Sequence, residues 1–441
     1  MILVLMGIFI FFNPFPHTTT IKEITFYLAV LIVLLRFLTG SARLSFSSPL
    51  TLPFAIYVLW SLASLCWSIH PGDSLHDWRA DLLELLFVYY VIINYFHTPA
   101  RMTALGWILI VSTGVAAMAG IFHFYVLMER PLSSRLIILD GGSINARATL
   151  NALGVILSVF YLLRSRNWLA RILSLGCLSA ALTALALSYS RAALLALVVA
   201  AAVALLLEWK NSKKKILILL SIFITIALAV SWCYLVSSQS KRLRMDRLTD
   251  NPRLIIYRVC LAIIQDHPLT GTGFAMDTFR KNLWPEYSSQ MPGIQKKWNR
   301  KKPASSPHNF VLDLLVRLGL TGAALFGWII FRAFHMGRAI VAAGEKNDKN
   351  WGIWLLVALS GMLTAGLFGP ILDGPNGYNL YILLAMMTIV FQWSQPGCLL
   401  ERHREKITVR DDQVKPTRAR PGPNPEIGNI HNRPDKKPMS T

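Results

Sequence analysis

In KKPASSPHNFVLDLLVRLGLTG, residues 301–322, a histidine stands where a basic, proline-broken stretch turns into an apolar helix. The order Ser306, Pro307, His308 reads as an N-cap, a first helical residue and a first-turn histidine. There the helix dipole and nearby arginines both disfavour a charged imidazole, which keeps His308 neutral and fit to take a proton from a hydroxyl. The bland alternative is an interfacial histidine that only caps or hydrogen-bonds.

Arginines supply the second kind of chemistry. Arg191 lies in LALSYSRAALLA, between apolar runs at 172–187 and 192–207. Each run is slightly short for a span, so the turn falls at the membrane surface. An arginine there is costly unless it is paired, used or snorkelling. In NPRLIIYRVCLAIIQDHPLTGTG, 251–273, Asn251 caps a helix, Pro252 starts it and HPLTGTG ends it. Arg253 falls in the first turn, where N–H groups and a guanidinium together suit a phosphate. Arg258 sits on a semi-apolar face, where an arginine either snorkels or grips an anion. Arg135 and Arg147 in the stretch 128–147 are lesser candidates, and Asp373 in LDGPNGY reads as a turn residue. One base and several arginines suit attack by a hydroxyl on a carbon whose leaving group is a diphosphate. That leaving group needs charge stabilisation rather than a general acid.

The elements that would position these groups are membrane helices. Of 441 residues, 54% are hydrophobic and 15% charged, with a mean hydropathy of +0.48. A soluble chain would carry more charge, and apolar runs approaching the ~20 residues of a span recur throughout. The expected fold is an all-α polytopic membrane protein of about twelve spans. They lie near 1–13, 21–38, 50–69, 80–96, 103–127, 147–163, 169–187, 192–207, 216–236, 309–332, 351–370 and 378–394. Basic residues gather in alternate loops: Arg36 and Arg43, Arg101, then Arg164, Arg166 and Arg171, Lys210 and Lys213 to Lys215, Arg332 and Arg338. The opposite connections, such as 70–77 and 371–377, carry none, which places the basic set and both termini in the cytoplasm. The expected organisation is spans one to nine over 1–236, one large outer loop over 237–308, spans ten to twelve over 309–395, and a disordered tail from 396 to 441. The outer loop holds 13 Lys and Arg against 5 Asp and Glu, with a basic run at Lys296 to Lys302. The net charge of +21 fits cytoplasmic loops and anionic lipid or phosphate ligands.

Several classes find no support. The chain has no GxxxxGK[ST] loop, and GTGF at 271 is too little for a dinucleotide fingerprint. Neither an Asp-rich pair for a metal–nucleotide nor a close carboxylate pair for a glycosidase stands out in the outer loop. The five cysteines show no metal or disulfide framework, so no cofactor is expected.

SRAALLA at 190, RLIIY at 253 followed by HPLTGTG at 267, and HNFVLDLLVRLGLTG at 308 resemble the O-antigen ligase and polymerase superfamily of bacterial inner membranes. The motif-bearing part runs from about 190 to 322. The resemblance implies a metal-independent, inverting, GT-C-like membrane glycosyltransferase with one large periplasmic loop and a site facing the periplasm. It implies an undecaprenyl-diphosphate-linked O-antigen donor and a lipid A–core acceptor, as in lipopolysaccharide biosynthesis. By the same resemblance His308 would activate the acceptor, and Arg191 and Arg253 would hold the diphosphate. Asn309 would follow the base into its helix, and Tyr257 would fill an aromatic place four after the loop arginine. Arg258 and Arg147 stand as further substrate-binding candidates. The single large late loop tilts the reading from polymerase towards ligase; a third member type transfers glycan to protein hydroxyls. A transporter, which should break its helices at mid-membrane, is the alternative from another class.

Overall fold

A computed structural model describes residues 1–41, 44–140, 143–208, 252–291 and 304–395. The features expected at Arg43, Lys210, Lys213 to Lys215, the span at 216–236, Asn251, the run at Lys296 to Lys302 and the tail from 396 lie outside these residues. Met1–Gln395 forms one compact unit. Among the described residues it is built of helices, turns and loops without a strand.

The chain opens with α1 (Ile2–Phe12), α2 (Thr19–Leu38), α3 (Thr51–Ala63), α4 (Pro71–Trp78) and α5 (Glu84–Tyr95). Next come α6 (Pro99–Ile121), α7 (Ile144–Arg164), α8 (Trp168–Leu187) and α9 (Arg191–Glu208). Later elements are α10 (Pro252–Asp266), α11 (Trp284–Ser289), α12 (Phe310–Ala343), α13 (Lys346–Gly366) and α14 (Gly374–Trp393). Five described segments are long and apolar enough to cross a membrane: Pro99–Leu127, Ile144–Arg164, Trp168–Leu187, Arg191–Glu208 and Phe310–Ala343. Local caps set their starts. Thr98 accepts from the Arg101 amide before Pro99, Ser143 from Ala146, and Asn167 from Leu169.

Helices α7, α13 and α14 form the centre. They are apolar all round, and α7 buries every residue from Ala148 to Tyr161. Helices α2, α8 and α9 lie outside them and expose Leu and Ile, as lipid-facing helices do. Two expectations need correction. Residues 70–77, read as a loop, form α4: Pro71 fits its first turn, Asp73 favours its N-terminus and Ser74 is buried. The span expected at 80–96 enters through a π turn at Arg79–Leu83 before α5.

The larger correction concerns the span expected at 309–332. Helix α12 is broken at Gly319, which adopts φ 67° and ψ −170°. The backbone groups this frees are taken by the segment 268–273. Thr272 N–H donates to the Val316 carbonyl at 2.9 Å and Gly273 N–H to Arg317 at 3.0 Å. Leu320 N–H donates to the Pro268 carbonyl at 2.8 Å, and the Trp60 indole donates to Leu318 at 3.1 Å. Two backbones cross here with no room for side chains. A Cβ on Gly319 would lie 2.3 Å from the Leu269 carbonyl, and one on Gly271 2.5 Å from that of Arg317. The motifs HPLTGTG and RLGLTG therefore meet as a lock between the late loop and a broken helix. The continuous apolar piece starts at Leu320, and its 24 residues to Ala343 span about 36 Å.

Arg317 braces the break. Its Nε donates to the Phe274 carbonyl at 2.6 Å, its Nη1 to Asp313 Oδ2 at 3.3 Å, and its guanidinium sits 4.2 Å from the Phe274 ring centre. The side chains of Arg317 and Asp313 are only 6% and 13% exposed. Arg317→Met leaves a buried carboxylate without its partner and should cost about 3–5 kcal/mol. Asp313→Leu/Arg317→Met should recover most of that loss. Thermal unfolding of detergent-solubilised protein measures both; equal melting points for the single variant and the parent would refute the brace.

Candidate active site

One end of the bundle brings together His308, Asn309, Asp373 and Arg253 of the groups singled out above. Asn309 Oδ1 accepts from the Val311 and Leu312 amides at 2.9 and 3.2 Å, so Asn309 is the N-cap of α12. The cap expected at Ser306 and the first-turn place expected for His308 are thus both displaced. Ser306 and Asn309 both fit cap chemistry on paper, and the asparagine next to the apolar run takes the role. His308 instead precedes the cap with a left-handed backbone, φ 55°, a conformation a non-glycine residue adopts seldom. Ser306 Oγ lies 3.3 Å from its Nδ1. A proton shared there leaves Nε2 as the other functional nitrogen.

His308 lines a small cleft with Asn309, Asp313, Pro370, Leu372 and Asp373. Burial lowers the imidazole pKa, and the Arg253 charge lowers it further. The effect has the sign expected from the sequence, but burial is the leading cause. Asp373 is half-buried ahead of α14. Burial pushes its carboxyl up to about 6; Asp313 adds to the rise and Arg317 opposes it. Sequence reasoning passed over Asp373 as a turn residue. The LDGP pattern gave no sign that the 367–373 connection folds against the start of α12.

Arg253 lies in the first turn of α10, as expected, with its guanidinium 5.8 Å from the Phe368 ring centre. Arg191 opens α9 and is exposed. Ser190 Oγ, beside it, donates to Asn145 Oδ1 at 3.2 Å, and the Asn145 Cβ lies 3.7 Å from where a side chain at Gly369 would begin. The guanidinium of Arg253 thus abuts the 367–373 connection that walls the histidine cleft, while the turn before Arg191 is linked to it only through Asn145. Other candidates stand apart or serve the scaffold. Arg258 is exposed on α10 together with Leu254 and Leu261. Tyr257 packs against the α10–α11 core. Arg147 Nη1 donates to the Pro14 carbonyl, and Arg135 Nε donates to Ser188 at 3.0 Å.

The sign of the Arg253 effect gives a test. Arg253→Gln removes a positive charge beside His308, so the imidazole pKa should rise. The acid limb of the residual activity should then move to higher pH, and an unmoved limb would separate the two groups.

Among the described residues, an all-helical bundle with five helices long and apolar enough to cross a membrane defines a multi-pass membrane protein of the all-α class. Residues 176–327, about a third of the chain, match the protein-family model described as O-Antigen ligase. The matched stretch contains Arg191, Arg253, His308 and both glycines of the backbone lock. No curated protein matches the chain.

Proposed function

We propose that this protein is an O-antigen ligase. It transfers O-antigen polysaccharide from undecaprenyl diphosphate to a sugar hydroxyl of lipid A–core, at the periplasmic face of the inner membrane. The observation that carries the reading is the half-buried His308, held neutral beside Arg253 at the end of the bundle where the Arg191 turn also lies. In this reading the acceptor oxygen attacks the anomeric carbon of the first O-antigen sugar and gives its proton to His308. The bond from that carbon to the diphosphate oxygen breaks, and the configuration inverts. The leaving diphosphate takes the electron pair, and Arg253 and Arg191 offset its charge. No metal is needed for these steps.

The orientation follows from charge. Arg101, Arg164, Arg166 and Arg171 lie at the helix ends opposite those near His308, as cytoplasmic residues should. The broken helix does not revive the transporter reading, because its freed backbone groups are bonded to 268–273 rather than left lining a path. Polymerase is the neighbouring reading within the superfamily.

The test is complementation. In a strain that lacks its ligase, the gene should convert bare lipid A–core into a full ladder on a lipopolysaccharide gel. Failure there, with restored chain extension in a polymerase-null strain whose core carries single repeats, would replace ligase by polymerase.

A further inference from the structure

We propose that the opposite end of the bundle carries a binding site for the phosphate headgroup of an anionic lipid. A cleft of about 430 Å³ opens between the C-terminal end of α7 and the N-terminal end of α13. Arg164, Arg166, Lys346, Asn347, Asn350 and Trp354 line it, and among the described residues no carboxylate does. Three cations and two side-chain amides around one space suit a phosphate diester.

The site is built rather than merely charged. Arg164 is half-buried and lies flat against aromatic rings, its Cζ 5.0 Å from the Trp351 ring centre and 5.7 Å from that of Phe160. Packing of this kind fixes a guanidinium in place before any ligand arrives. Its Nη1 is buried and has no hydrogen-bond partner. A buried donor left unsatisfied is costly, and a phosphate oxygen in the cleft would relieve it. Asp348, buried on α13, acts on Arg164 electrostatically from outside the lining. The first turn of α13, with Lys346 and Asn347, adds backbone N–H groups and the positive end of the helix dipole.

The surroundings favour a lipid over a soluble phosphate. Two residues past Arg166, α8 turns Trp168 outward, 65% exposed, followed by exposed Leu169, Ile172 and Leu173. A tryptophan at the end of an apolar helix marks a membrane–water boundary. The cleft therefore opens beside the surface that acyl chains would cover, at the level of their headgroups. It is remote from His308 and does not depend on the reaction proposed there.

The test uses the full-length protein in detergent and in nanodiscs. Native mass spectrometry and thermal unfolding would compare phosphatidylglycerol, phosphatidylcholine and inorganic phosphate. Phosphatidylglycerol should be retained preferentially and raise the melting point. Arg166→Gln/Lys346→Gln changes two exposed side chains and should weaken that retention roughly 30-fold, as expected for the loss of two basic residues at a lipid surface. Phosphatidylcholine binding should not change. Equal retention of the two lipids, or of phosphatidylglycerol by parent and variant, would overturn the site. A stabilisation by inorganic phosphate as large as that by phosphatidylglycerol would overturn its assignment to a lipid.

Discussion

His308→Ala should lower the transfer rate by about 10²–10⁴, the range a positioned general base contributes. The expected gel shows bare lipid A–core with lipid-linked O-antigen accumulating, at membrane levels matched to the parent. Two features make the loss specific to chemistry. Burial and Arg253 both lower the imidazole pKa, which favours the neutral form that a base requires. The cleft also places it beside the 367–373 connection, against whose Phe368 ring Arg253 packs. Alanine disfavours a left-handed backbone, so part of any defect could come from folding. His308→Asn separates the two effects, because asparagine tolerates that backbone and offers no comparable base. It should accumulate normally and remain inactive. An intact ladder from either variant would remove His308 as the base.

Gly319→Ala should be nearly as damaging, by a different route. Its Cβ would lie 2.3 Å from the carbonyl of Leu269, a backbone atom that cannot rotate away, and its φ of 67° adds further strain. Relief requires separating 268–273 from α12, which breaks the hydrogen bonds linking them. Left-handed strain and several lost buried bonds together come to roughly 4 kcal/mol or more. Gly271→Ala meets the mirror obstacle and should behave alike. Gly327→Ala, on the same helix, meets nothing within 4 Å and should be tolerated. Membrane accumulation and melting temperature distinguish these outcomes; a parental melting point for Gly319→Ala would show that the crossing is looser than described.

What could be read in the sequence were features contained within short stretches. The limits of α7, α8 and α9 follow from uninterrupted apolar runs bounded by Ser, Asn and Arg, and the sequence places them within a few residues. Arg253 in a helical first turn followed from Asn-Pro alone. The hidden features are contacts between distant segments. Gly271 and Gly319 meet although 48 positions apart in the chain, and neither local sequence names the other. Asp373 reaches the histidine cleft only because 367–373 folds back over α12. The cap of α12 was misread for a local reason: Ser306 and Asn309 both suit a cap, and the left-handed turn at His308 puts the helix start after the second.

That turn also bears on how the protein could fail. Asparagine and glycine are the replacements the backbone at 308 accepts most readily, and neither can serve as the base. A chain altered in this way would be made, inserted and kept. If Arg191 and Arg253 hold the lipid-linked donor as proposed, it would still bind that donor without discharging it. Expressed beside a working copy, it would draw on the same pool of carrier lipid, so the defect would act dominantly, in proportion to its abundance. Loss of the gene would leave that pool to other enzymes.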